Sequence, residues 1–534
     1  MQIRARGELM QIEIVFENER LLALKDNWNS VYDADPDSQH FLSWTWVSKW
    51  FERTEFRWFI LAARPSPGAD YVGFFPLLIL TNKGEDGIYR DEFGMGVGGF
   101  ADYAGFICDP AHEEQVIPLF ADHLLSRYWT KFDFHRVHAS ERRINLFLKQ
   151  FPRSKFIVEK LTPESGAMAS DNSIYPYLEL PGDFDSYLAM LGSNRRADAK
   201  RVLRRLEGSN DLRITHVTAE TFERDRNILL SLWEQTWGAE KGDKVKSILN
   251  NFRNMLAASF QTGSLFLPVL WRGETPIGAL GTVIDERKRW LLFLLAGRDR
   301  SVEDFKPGVA LHLHSIKWAI ENKYKIYDFL MGNEVYKYRL GAKDRCFPSW
   351  TIKTRSGRNL DNKLELSSFR FVLPEALEAH RAGNLDAAER GYRQILAREP
   401  EHADALYLLA QLQSVRRDFG AAIDSYRSYL RVKPLSHEGW LKLGECLVAK
   451  GNSAGAMECF RKVMKLDPKN SEAARQLLSL GVKATTPAPA AGDKQPALDL
   501  EKRMRLLLDL GVKSTTSTPA STETLPIFAP PRRS

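Results

Sequence analysis

From about Phe371 onward, one pattern returns every 34 residues. Ala388, Ala422 and Ala456 recur at one position, Tyr392, Tyr426 and Phe460 four residues later, and Pro400, Pro434 and Pro468 close each unit. A small residue followed four positions on by an aromatic ring puts both on one side of a helix. Ala376, Ala410 and Gly444 mark a second small position at the same period, where paired helices approach closely. A unit of this length cannot bury its apolar side alone. Stacking on its neighbours builds the core, which commits this part of the chain to an all-α solenoid.

The copy at Trp440-Leu-Lys-Leu-Gly444 carries the pattern most fully, and the region resembles tetratricopeptide repeats. The resemblance implies three repeats with a capping helix at Ser471–Leu480, over residues 366–482, and a protein partner held by the repeats. Beyond Gly481 the composition turns to Thr, Pro, Ala and Ser, so residues 483–534 are expected to be a disordered tail. One phrase recurs there: Leu477-Leu-Ser-Leu-Gly-Val-Lys-Ala-Thr-Thr486 and Leu507-Leu-Asp-Leu-Gly-Val-Lys-Ser-Thr-Thr516. The second copy belongs to a short amphipathic segment near 498–510. It reads either as a helix that docks in a repeat groove or as a leftover duplication.

At 534 residues the chain is too long for one core, and about three domains are expected. The longest apolar runs, near Val72–Leu80 and Trp290–Ala296, are too short to span a bilayer, and the first residues lack the apolar core of a secretory signal. A cytoplasmic protein is expected. Four cysteines without a CxxC pair indicate neither a zinc site nor a disulfide framework. The net charge of +7 is mild and does not by itself call for nucleic acid.

The residues before the repeats yield to period reading. Strand Leu212–Val217 is followed by helices Thr218–Trp237 and Asp243–Gln261, then by strands Ser264–Trp271, Pro276–Ile284 and Arg289–Ala296. Helix Gly308–Glu321, strand Lys325–Leu330, short helix Glu334–Leu340 and a last strand Trp350–Thr354 complete the order β-α-α-β-β-β-α-β-α-β. The first 165 residues give the same order more faintly, from strand Gln11–Phe16 to strand Lys155–Val158. Two tandem copies of one topology are expected.

That order is found in GNAT acyltransferases, and its tandem form is similar to the FemAB-related branch. Asp328-Phe-Leu-Met-Gly332-Asn-Glu334-Val-Tyr336-Lys337 resembles the signature of the cellulose-biosynthesis-associated acetyltransferases called CelD- or BcsL-like. The resemblance implies a tandem α/β (α+β) fold, with a first GNAT-like domain over 1–170 and a second, catalytic one over 171–365. It implies acetyl-CoA as acyl donor, an amine acceptor, no metal, and a link to exopolysaccharide or cell-envelope synthesis. Two other readings stand beside it: a FemAB-type transferase using aminoacyl-tRNA, and a non-catalytic adaptor working through its repeats.

Residues of the second copy carry the expected chemistry. Lys306-Pro307-Gly308 opens a helix whose free N–H groups, with those of Val309 and Ala310, would hold the donor pyrophosphate; the alternative is a plain helix start after a loop. The family pattern has Arg or Gln where Phe305 stands, and Lys306 is expected to supply that charge. Backbone N–H groups of the strand holding Leu294 and Leu295 would polarise the thioester carbonyl. Tyr336 and Tyr338 lie where many such enzymes carry a tyrosine that protonates the departing thiolate; the alternative is a ring with a satisfied hydroxyl. Asp328 and Glu334 would orient or deprotonate the amine, or serve as caps and ion-pair partners. Arg196, Lys200 and Arg204 share one side of a basic helix and, with Lys337, would meet phosphate; a solvated face is the alternative.

Three patterns are set aside. Gly94-Met-Gly96-Val-Gly-Gly99 matches G-x-G-x-x-G but leads into no helix. His312-x-His314 on a helix, and His135-x-x-His138 on a strand, point their side chains to opposite sides. In the first copy the equivalent helix follows Cys108-Asp109-Pro110, where Asp109 would repel a phosphate.

Overall fold

The computed structural model describes residues 10–97, 101–161 and 173–481. The chain divides into two compact units, residues 1–84 with 89–367, and residues 85–88 with 368–534.

The first unit holds two eight-stranded sheets, each with its own covering helices. Each is a path of seven strands with one short strand beside it, Ile107–Cys108 against Gly73–Lys83 and Leu265–Phe266 against Thr275–Asp285. In the first sheet the path runs Gln11–Val15, Arg57–Arg64, Gly73–Lys83, Tyr89–Met95, Lys131–Phe134, Trp350–Thr354, Phe156–Lys160. In the second it runs Leu212–His216, Pro268–Arg272, Thr275–Asp285, Trp290–Arg298, Ile326–Asp328, Ile174–Glu179, Lys343–Cys346. Position by position the two paths match, so the tandem repeat of one topology is present. The sixth place in each is filled from the other half of the chain.

Trp350–Thr354 was expected to close the second copy. It lies instead in the first sheet, antiparallel to both Lys131–Phe134 and Phe156–Lys160. Ile352 at its centre is fully buried with Phe132, Phe134 and Phe156. In return Ile174–Glu179 sits in the second sheet between Ile326–Asp328 and Lys343–Cys346. Each sheet thus takes its sixth strand from the far end of the other copy in chain order, and the ladder bonds of that strand lie within its host sheet.

The seam is also apolar. One cluster joins Trp28, Tyr32, Phe41 and Tyr103 of the first lobe to Tyr175, Leu292 and Leu330 of the second. The Tyr32 hydroxyl donates to Asp285, and Arg287 pairs with Asp33 at 2.5 Å.

The second unit is helical. Phe369–Arg381, Leu385–Arg398, Ala403–Val415, Phe419–Val432, His437–Ala449 and Ser453–Leu466 form three pairs, and Ser471–Ser479 caps them. Ala388, Ala422 and Ala456 are fully buried, as are Tyr392, Tyr426 and Phe460. A side chain added at Gly444 would start 2.5 Å from the Phe460 ring, which explains why the smallest residue stands there. The 34-residue period extends to the caps: Asn384, Asp418 and Asn452 each accept from a first-turn N–H, as do His402, Ser436 and Asn470. The tail 483–534, its segment 498–510 and the second copy of the recurring phrase lie outside the described residues, as does part of the Gly94–Gly99 motif.

Candidate active site

The second sheet opens where two parallel strands part. Trp290–Arg298 and Ile326–Asp328 pair side by side for three positions only, Trp290 with Ile326, Leu291 with Tyr327, and Leu292 with Asp328. Beyond Leu292 the longer strand continues on that side without this partner. Against Thr275–Asp285 its register passes from Leu295–Gly281 to Phe293–Thr282, so Leu294 forms a bulge at the split and is half-buried. Leu295 itself pairs with Gly281 and packs into the core.

Helix Pro307–Glu321 starts at the open end of this split. The first atom of a side chain on Gly278 would lie 3.1 Å from Pro307, and Gly278 pairs with Arg298, the last residue of the diverging strand. No side chain caps the helix. The Ala310 N–H is already bonded to the Lys306 carbonyl at 3.0 Å, which leaves the amides of Gly308 and Val309 as first-turn donors. A Cβ placed on Gly308 would meet nothing within 4 Å, so there is room for a ligand against the backbone. Phe305 is 7% exposed and belongs to the core, which accounts for an apolar residue where a charged one was expected. Lys306 beside it is exposed.

Aromatic side chains gather where the strands separate. His312 lies 4.8 Å from the Phe293 ring and 5.4 Å from the Tyr336 ring, with Phe329 at 5.5 Å, and its Nδ1 is 2.9 Å from the Tyr327 hydroxyl. Burial lowers the His312 pKa to about 3, so the ring stays neutral. Burial, with the nearby Glu334 carboxylate, pushes the Tyr336 phenol well above its ordinary value and keeps it protonated. Tyr338 is also raised, by burial and by the nearby Asp344 carboxylate.

The two carboxylates differ. Asp328 is fully buried, and its oxygens accept from the Tyr103 hydroxyl, from Arg345 and from the Leu330 N–H at 2.9 Å. Glu334 is 36% exposed, pairs with Lys337 at 2.9 Å and folds over Gly332. Lys337 does not meet the surface as expected. It is 2% exposed and donates to the carbonyls of Met331 and Gly332, both at 2.8 Å, because this sharp loop leaves those carbonyls without a ladder.

The basic helix spans Ser193–Glu207 and packs on helix Pro307–Glu321. Arg196 donates to the carbonyls of Ala189 and Leu191, which fastens the helix start and takes it out of the expected set of phosphate contacts. Lys200 and Arg204 are exposed, and neighbouring Arg205 pairs with Asp304 at 3.2 Å, two residues before Lys306.

The first lobe closes the equivalent place. Asp109 accepts from the Ala111 N–H at 2.9 Å at the start of the helical stretch that runs into Glu113–Leu125. Beneath it Arg143 is 1% exposed and bonds Asp35 at 2.6 Å, Glu113 at 2.7 Å and the Cys108 carbonyl at 3.2 Å.

Residues 193–338 match the family model of the acetyltransferase (GNAT) domain. That match frames the split strands, the uncapped helix and the aromatic cluster. Residues 373–423 and 410–471 match the tetratricopeptide repeat. Human tetratricopeptide repeat protein 7B is 35% identical over 89 residues, 17% of this chain and 11% of that protein, and the mouse protein is 34% identical over 76 residues. The chain thus spans about a tenth of the length of these relatives. Among solved structures, FemX aligns over 63% of this chain and 96% of its own at 10% identity, with a TM-score of 0.45. The first tetratricopeptide domain of Spaghetti (RPAP3), bound to an HSP90 peptide, aligns over 22% of this chain and 93% of its own at 15% identity, with a TM-score of 0.21. The chain therefore carries a stretch that matches a GNAT acetyltransferase domain, followed by tetratricopeptide repeats. Among the described residues no helix is long and apolar enough to cross a membrane.

Asp102, Tyr103, Arg345 and His312 belong to this region and were not singled out for it. The first three act across the seam, where no local spacing brings them to notice. In the sequence His312 stands out only as half of His312-x-His314, and His314 meets His216 at 2.8 Å.

Proposed function

We propose that the chain is an N-acyltransferase whose second lobe takes acetyl-CoA and passes the acetyl group to an amine. The observation that carries this reading is the parting of Trp290–Arg298 from Ile326–Asp328, with an uncapped helix and open space at Gly308 at its wide end. Gly308 and Val309 would hold the donor pyrophosphate through backbone N–H groups, aided by the positive end of the helix dipole and by Lys306. The bound donor supplies the activated thioester. Backbone N–H groups near Leu294 would polarise its carbonyl, and the two lobes would hold the amine in line for attack. Tyr336 would protonate the departing thiolate. Burial keeps its phenol protonated, so that it meets the leaving sulfur as a hydrogen-bond donor. Of the two carboxylates, Glu334 is the better placed to take a proton from the amine, since Asp328 is enclosed. By the sequence resemblance alone, the acceptor belongs to envelope or exopolysaccharide synthesis.

A second reading, transfer from a charged tRNA, is favoured by one feature: the exposed cations Lys200 and Arg204 on a helix that flanks the donor helix. Thiol release from acetyl-CoA by the full chain tests the first reading. Turnover with amines is expected to fall about 100-fold in Tyr336→Phe and to change little in Tyr338→Phe. No thiol release and no coenzyme A binding would overturn it.

A further inference from the structure

The loop after Asp328 is strained and held from both lobes. Leu330 is a buried, branched residue at φ +56°, a left-handed conformation that costs about 1–3 kcal/mol unless its surroundings fix it. Gly332 follows at φ +101°. Five groups fix the turn. Asp328 Oδ1 accepts from the Leu330 N–H, and Lys337 holds the Met331 and Gly332 carbonyls. The Gly332 N–H donates to the Ile174 carbonyl at 2.9 Å. The remaining two groups come from the first lobe: Asp102 Oδ2 accepts from the Met331 N–H at 3.0 Å, and the Tyr103 hydroxyl donates to Asp328. Tyr103 is fully buried.

This loop leaves the sheet at the last paired residue beside the split and carries Glu334 and Tyr336. Its shape therefore sets where both side chains stand relative to the diverging strand. A turn held so closely, in a conformation that local sequence does not favour, is what a reaction centre needs when its groups must stay within fractions of an ångström.

We infer that Asp102 and Tyr103 of the first lobe are positioning residues for the second lobe's reaction, acting through the Asp328–Gly332 turn. The first lobe then completes the catalytic site although its own donor position is closed. The inference rests on the acyl-transfer reading above. It assigns the first lobe to the acceptor side of that site and leaves the donor side at Gly308 untouched.

The full chain is compared with Asp102→Ala, Asp102→Asn and Tyr103→Phe in three measurements. These are calorimetric binding of acetyl-CoA, thiol release with hydroxylamine as the amine, and hydrogen exchange of the 329–333 amides. Asp102→Ala and Tyr103→Phe are expected to bind acetyl-CoA within about twofold of wild type, yet to release thiol about 10- to 100-fold more slowly. Exchange quickens at 329–333 and nowhere else. Asp102→Asn keeps an acceptor for the Met331 N–H and restores most of the rate. Unchanged turnover in Asp102→Ala and Tyr103→Phe overturns the inference while the acyl-transfer reading stands. Equal losses of binding and turnover also overturn it, because they mark a role in general folding. A wild-type chain that neither binds acetyl-CoA nor releases thiol removes the underlying reading, and the inference with it.

Discussion

In the first lobe the helix after the fourth strand is entered past a carboxylate and a buried ion network; in the second it starts against open space. Asp109 caps the one at Ala111, and Arg143 with Asp35 and Glu113 fills the ground beneath. Gly308 leaves the other bare. The two lobes share strand order, and each receives a strand from the other. Their difference is chemical and confined to a few residues. One copy has free backbone N–H groups at the helix start, and the other has internal charge pairing there. Two lobes of one strand order thus differ at the helix start, open in one and filled by ion pairs in the other.

The comparison breaks most severely at Arg143. Replacing it with Ala leaves Asp35 and Glu113 facing each other in the core, and is expected to cost about 3–5 kcal/mol in a denaturant melt, with loss of the first lobe's protection in hydrogen exchange. Next comes the exchanged strand. Ile352→Ala should cost about 2–5 kcal/mol, and the loss of protection should appear at Lys131–Phe134 and Phe156–Lys160 of the first lobe rather than in the second. If the second lobe softens instead, the strand assignment is wrong.

Smaller changes sharpen the comparison. Gly308→Asp copies the first lobe's carboxylate onto the second. An acidic residue in the first turn favours the helix, so the fold is kept while acetyl-CoA affinity falls about 10- to 100-fold by calorimetry. The reciprocal change, Asp109→Ala, removes a cap at a cost of about 1 kcal/mol and creates no second donor site, because Arg143 and its partners remain beneath.

The sequence carried some of this and not the rest, for identifiable reasons. The 34-residue spacing declared the solenoid because each repeat buries the same three positions in the same way. The element order of the tandem sheets was legible because buried strands such as Arg57–Arg64 and Trp290–Arg298 stand out as short continuous apolar runs bounded by polar residues. Lys343–Cys346 escaped notice: it is a polar edge strand without alternation. Ile174–Glu179 escaped as well, since Pro176 removes a donor and argues against an inner strand. The exchange of Trp350–Thr354 was beyond reach, because its pattern fits either sheet and only tertiary packing chooses. At the site, the Pro-Gly helix start pointed to Gly308 through backbone chemistry that is local. Lys337 looked like a surface cation because its acceptors are backbone carbonyls, which leave no mark in the side-chain pattern. The pairing of Tyr103 with Asp328 spans 225 residues, and nothing near either one announces it.

The central claim, one open lobe and one closed, is tested most directly by the stoichiometry of acetyl-CoA on the full chain. Calorimetric titration should give one site per chain, strongly weakened in Gly308→Asp and unaltered in Asp109→Ala. Two sites in the wild type, or wild-type binding in Gly308→Asp, would contradict it.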